Sequence, residues 1–102
     1  MAIFATARRD RLYIMTTREL SRAVFAVKTG HGAPYARMHA IDRLVHVERY
    51  GCRHTAKLRT ARLRAWPFAE RAALVRTANP AWSDLSEEPS AQRIRADASL
   101  EV

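Results

Sequence analysis

The side chains best equipped for chemistry in this chain are cations at helical spacing. Between Arg53 and Trp66, the residues Arg53, Lys57, Arg59, Arg62 and Arg64 stand among the apolar Leu58, Ala61 and Leu63. The pattern reads as a basic helix with a narrow apolar stripe. Guanidinium and ammonium groups in such a row suit phosphate oxygens, which position a nucleic acid without reading its sequence. Arg71 and Arg76 follow, and Arg8, Arg9 and Arg11 cluster near the start. Tyr13 offers a phenol to a phosphate oxygen, or equally a ring for packing within a strand. Arg22 and Lys28 are further candidates for backbone contacts. Other chemistry is thinly supplied. His31, His39, His46 and His54 are scattered without metal-ligand spacing. The single cysteine, Cys52, has no evident base and no partner for an internal disulfide.

Composition points the same way. The chain has 102 residues and a formal net charge of +8, enough for one domain with a single core. Through residue 85 it carries 16 basic and 6 acidic residues, a net +10, whereas Ser86 to Val102 carries 2 and 4, a net −2. The charge therefore belongs to the folded part, and a polyanion is the leading class of partner. No apolar run approaches the roughly 18 residues of a membrane span. The start lacks a charged region ahead of an apolar stretch, and a lone cysteine fits a reducing compartment, so a cytoplasmic location is expected. No metal and no cofactor are expected, nor a small-molecule substrate.

These cations need elements to hold them. Two short apolar runs, 2–7 and 12–16, flank the polar Arg8, Arg9, Asp10 and Arg11 and predict a β-hairpin. Thr16 with Glu19 three residues on reads as a capping box, and Leu20, Val24 and Val27 recur at helical spacing until Gly30, predicting a helix over about 18–29. On that helix Phe25 is expected to be partly buried, or to join a dimer interface if exposed. Gly30, Gly32 and Pro34 predict a loop, and residues 43–49 a third strand closed by Gly51. Alternation there turns His46 outward, opposite Val45 and Val47. A helix from 53 to about 65 and another over 67–78 meet at Pro67, and Asn79–Pro80 ends the second. Trp66 and Trp82 are expected as core or clamp residues, with Leu85 as a further anchor. The predicted order is ββαβαα, an α+β fold with a small three-stranded mixed sheet and helices packed on it. Residues 1–85 form the domain, and 86–102 a mobile tail.

Several of these pieces together resemble the GIY-YIG nuclease superfamily, in its small single-domain bacterial branch. Leu12, Tyr13 and Ile14 stand where that family has its second motif, Tyr-Ile-Gly, and Arg43, Leu44, Val45 and Glu48 look like its third-strand pattern. Trp66 fits the tryptophan ending its basic helix, and Asn79, Pro80, Trp82, Asp84 and Leu85 resemble its closing Asn-Pro-x-Trp-x-Asp-Leu. The likeness covers about residues 2–85. It implies a nuclease site of two tyrosines, an arginine and often a histidine on the first helix, and a metal-binding glutamate on the basic helix. Carried over residue by residue, the first tyrosine falls on Ala2 and the second on Tyr13. The arginine falls on Ala23, the histidine on Val27 and the metal glutamate on Thr60. Met15 replaces the motif's glycine. Of the implied set only Tyr13, and Asn79 of the closing motif, remain.

Hydrolysis of a phosphodiester in such a site requires a carboxylate-held divalent ion, a base near the attacking water and a cation facing the developing charge. Thr60 and Ala23 supply neither charge. The expectation is a nuclease fold without its reaction that still binds duplex DNA through a basic face, as a transcriptional regulator or architectural factor. The residues expected to bind are Tyr13, Arg22, Lys28, Arg8, Arg9, Arg53, Lys57, Arg59, Arg62 and Arg64. A homodimer would double the footprint. Two other readings stay open: a rewired nuclease whose metal sits on Glu19 or Glu48, and a module whose basic face docks an acidic protein.

Overall fold

A computed structural model describes residues 1–87. The expected tail from residue 88 on lies outside the described residues. Three strands, β1 (Ala2–Ala5), β2 (Leu12–Met15) and β3 (Arg43–Val47), form a sheet of order β2-β1-β3. Four helices, α1 (Leu20–Lys28), α2 (Pro34–Met38), α3 (Arg53–Arg64) and α4 (Phe68–Ala78), and a short 3-10 turn, Leu85–Glu87, complete it. The α+β class and the three-stranded sheet with helices packed on it are as expected. Both pairings are antiparallel, so the sheet is not mixed.

The central strand dictates the layering. All four residues of β1 are buried, because helices cover both faces of the sheet. Ala2 and Phe4 face one core with Leu20, Val24 and Val27 of α1, Ala36 of α2, Ile41 and Leu44. Ile3 and Ala5 face the other with Val45, Leu63 of α3, Ala72 and Val75 of α4, and Trp82. Full coverage also corrects the reading of His46: it is 8% exposed rather than outward. A bulge contributes, since Ile3 pairs with His46 and Phe4 with Leu44, leaving Val45 as the extra residue that interrupts simple alternation.

Other corrections are local. Thr16 does not cap α1: Glu19 takes the N-cap position without a side-chain cap, while the Thr16 hydroxyl lies 2.7 Å from that of Thr60 on α3. The segment read as a loop contains α2, with Pro34 in its first turn. On α3 the buried residues are Ala56, Thr60 and Leu63, spaced four and three apart, and Leu58 is 55% exposed. Phe25 is 67% exposed, not partly buried, because it falls off the Leu20–Val24–Val27 stripe. Trp82 is buried as expected, and Leu85 packs against the second core. Ser86, assigned to the tail, is buried and donates to Asp84, so the fold continues past residue 85.

The topology has one consequence for function. Since β2 and β3 both run antiparallel to β1, they run parallel to each other, and both exit where β1 begins: Ala2 pairs with Met15 on one side and Val47 on the other. Glu48 and Met1 extend that ladder, the Glu48 amide donating to the Met1 carbonyl at 2.8 Å. The segments after both strands therefore meet at one end of the sheet, beside the start of α3.

Candidate nucleic-acid interface

At this end of the sheet lies a cavity of about 250 Å³ that opens to solvent. Its apolar floor is Met1, Leu20, Val47 and Ala56, and its rim carries Arg18 from the segment after β2, Arg49 from the segment after β3, and Arg53 and Lys57 from α3. Four cations thus converge from three separate segments. Arg53 and Lys57 are exposed and form none of the ion pairs seen among the described residues.

The cavity's one carboxylate, Glu48, is heavily subscribed. Arg59 donates to it twice, Nε to Oε1 at 3.0 Å and Nη2 to Oε2 at 3.2 Å. The Tyr50 hydroxyl donates to Oε1 at 2.5 Å, and His46 Nε2 lies 2.9 Å from Oε2. Burial alone would raise this carboxyl. The hydrogen bonds from Arg59, Tyr50 and His46 outweigh it and hold Glu48 at about 2. Burial, with the hydrogen bond to Glu48 and its negative charge, pushes the Tyr50 phenol up against the opposing effect of Arg59. The negative charge at the cavity is therefore spent within the fold, and the field at its mouth is set by the rim.

Helical geometry sorts the remaining cations. At about 100° per residue, Arg53, Lys57 and Arg64 lie within about 40° of one another on one flank of the buried stripe. Arg59 lies on the other flank, and Arg62 about half a turn away from Arg53. The ten residues expected from the sequence therefore do not form one surface. Arg53 and Lys57 line the cavity. Arg64 is on the same flank but gives a hydrogen bond to the Ile14 carbonyl at 2.8 Å. Arg59 is bound to Glu48 and lies over the Trp66 ring, 5.4 Å from its centroid. Arg62 is exposed on the opposite side of α3.

Off α3, Lys28 donates to the Asp84 carboxylate and to the Asp42 carbonyl, so its charge is consumed in closing the chain. Arg9 donates to the Ala81 carbonyl at 3.0 Å and lies over Trp82, while Arg8 is exposed at the hairpin tip. Arg22 is an exposed partner of Glu19 at 3.1 Å. Tyr13 is half-buried against the α1-side core. Arg18, Arg49 and Tyr50 were missed as site residues: they follow strands rather than belonging to the basic helix, and only the strand order brings them together.

Four of the five positions to which the resemblance assigns nuclease chemistry are packed shut, and Tyr13 is half-buried. Ala2, Ala23, Val27 and Thr60 are all buried. Thr60 donates its proton to the Ala56 carbonyl, so the Thr16 hydroxyl is the donor in the pair between them. Asn79 serves the fold: its amide donates to the carbonyls of Val45 at 3.1 Å and Ser83 at 3.0 Å, and its oxygen accepts from the Ser83 amide. Cys52 is exposed, and hydrogen bonds from the Thr55 and His54 amides lower its thiol. Among the described residues, no three His, Cys, Asp or Glu side chains are grouped to hold a metal ion, and no helix is long and apolar enough to cross a membrane. No family model matches the chain, and neither a curated protein nor a solved structure does.

Proposed function

We propose that this is a nucleic-acid-binding protein without nuclease chemistry, built on the GIY-YIG plan that its motifs resemble, and that it holds duplex DNA through phosphate contacts as a transcriptional regulator or architectural factor. One observation carries the reading: four cations from three segments surround a cavity whose single carboxylate is already neutralised. A row of arginines along one helix is ordinarily a solvated face. Convergence from separate segments, with Arg53 and Lys57 unpaired among the described residues, is harder to account for by solubility. It supplies what a phosphate backbone requires.

The positions that the family would use for catalysis support the rest of this reading. Thr60 is buried and brings no anionic oxygen to a divalent ion, and buried Ala23 and Val27 bring no charge or base to a phosphate. Glu48 is a poor substitute ligand because both of its oxygens already accept hydrogen bonds. Glu19, paired with Arg22, stands alone on the surface.

The test is a titration of duplex DNA at several salt concentrations with Mg²⁺ present, the samples then run on a denaturing gel. Binding should weaken steeply with salt and the DNA should stay intact. The double variant Arg53→Glu, Lys57→Glu should lose affinity and reduce the log–log salt slope by about 2. Cut DNA would restore the nuclease reading. Absence of binding, with capture of an acidic protein instead, would favour the interaction module.

A further inference from the structure

The cavity is too small for a double helix, which raises the question of which part of a nucleic acid enters it. At about 250 Å³ it has room for one small planar group and little more. Its floor and its rim ask for different things. Leu20, Val47 and Ala56 are apolar and form a bed for a flat, poorly hydrated surface, whereas Arg53 and Lys57 stand exposed at the mouth and suit an anion. Tyr50 lines the wall, its hydroxyl fixed on Glu48, so its ring is held in place. An apolar slot beside a ring, with cations at the mouth, matches the two halves of a nucleotide: the base stacks and the phosphate meets the charge. A paired base presents only its edge to a protein, and its faces are taken by its neighbours in the stack.

We propose that this cavity receives one unpaired nucleotide of a DNA strand, its base over Leu20, Val47 and Ala56 beside Tyr50 and its phosphate at Arg53 and Lys57. The inference rests on the nucleic-acid reading above and deepens it: the preferred target is DNA with an unpaired base, at a strand end or where a base leaves the stack. Glu48 contributes by being occupied. With its carboxylate turned to Arg59, Tyr50 and His46, it does not repel the incoming phosphate.

The test compares three fluorescent probes at fixed salt: a blunt duplex, a duplex of equal phosphate number that ends in a short single-stranded overhang, and the overhang strand alone. Wild-type protein should bind the overhang probe roughly tenfold more tightly than the blunt one, the scale of one stacked base. Two variants that narrow the cavity from different elements, Ala56→Leu on α3 and Thr17→Leu after β2, both at residues that line it, should bring that ratio to one by weakening binding of the overhang probe. Circular dichroism melts identify a variant that fails to fold, and the other then decides. Equal affinity of the wild type for blunt and overhang probes would overturn the inference while leaving DNA binding intact. So would a ratio unmoved by either folded variant, or displacement of neither probe by a free mononucleoside monophosphate at millimolar concentration. Failure to bind any of the three probes would overturn the nucleic-acid reading itself.

Discussion

Two polar clusters flank β3, and they use the same residue types to opposite ends. At the strand's beginning, Asp84 accepts from the Leu44 amide, the Ser86 amide and hydroxyl, and Lys28, while Asn79 bonds Val45 and Ser83. The chain is stitched shut there, and the charge of Lys28 meets that of Asp84. At the strand's end, Glu48 gathers Arg59, Tyr50 and His46, yet Arg18, Arg49, Arg53 and Lys57 still ring the adjoining cavity. One cluster uses its cation to fix the fold; the other adjoins Arg53 and Lys57, which its carboxylate does not serve. A buried or half-buried ion pair contributes modestly and is costly to break from one side. Like charges on the exposed Arg53 and Lys57 repel each other, and an anionic ligand relieves that repulsion. The proposed function turns on this difference between a lysine tied into the fold and two exposed cations that make no ion pair among the described residues.

The cluster at the start of β3 depends most on Asn79. Val45 is the bulged residue of β3, so Asn79 supplies a donor to its carbonyl that the ladder does not. Asn79→Ala removes three hydrogen bonds at a buried site and strands the Val45 oxygen. It should cost about 3 kcal/mol in urea unfolding, and DNA affinity measured where the variant remains folded should not change. A loss of binding there would mean that the two clusters are not independent.

A smaller effect is expected at Glu48, and it has a pH signature. Glu48→Gln leaves Arg59 half-buried beside a neutral amide and should cost about 2 kcal/mol at neutral pH, reduced from the full buried value because solvent reaches the pair. The Glu48 carboxyl sits at about 2 in the fold against an ordinary 4.5. A lowered folded value means that its stabilisation is complete above pH 4.5 and fades as pH falls toward 2. Asp84 and Asp10 are lowered too and lose stabilisation in the same direction, so the wild-type acid limb reports all three. The Gln variant should keep only the Asp84 and Asp10 parts. An acid limb identical to that of the wild type would show that the Arg59 contacts do not govern Glu48.

The sequence made the elements legible wherever one period dominated. Leu20, Val24 and Val27 mark α1, and Pro67 marks the break between α3 and α4, with boundaries off by no more than about two residues at either end. The five residues of α2 carry too little periodicity to separate from a glycine- and proline-bearing loop. Alternation misplaces His46 because it assumes an open face and an unbroken count, whereas β3 is covered on both sides and has an extra residue at Val45. The site was half legible. Arg53 and Lys57 stood out as helix cations, but so did Arg59 and Arg62, and composition does not tell a residue facing a cavity from one facing a carboxylate or open water. Arg18 and Arg49, 31 positions apart, become neighbours of one cavity only once β1 is known to lie between β2 and β3.

The last and smallest effect is a reciprocal pair of lysines. Lys28 is clamped between Asp84 and the Asp42 carbonyl, whereas Lys57 stands exposed at the cavity rim. Lys28→Met should lose about 1 kcal/mol of stability, because Asp84 keeps its burial but not its counter-charge, and should leave the salt slope of DNA binding where it was. Lys57→Met should alter stability by less than about 0.5 kcal/mol and lower the slope by about 0.9, the release expected from one phosphate contact. The substitution is the same and removes the same single charge in each case, so differences in net charge cancel between the variants. If both lower the slope equally, DNA senses only the overall charge of the molecule, and the distinction between closing and binding cations fails. If only Lys57→Met does, the phosphate contact is local to the cavity rim.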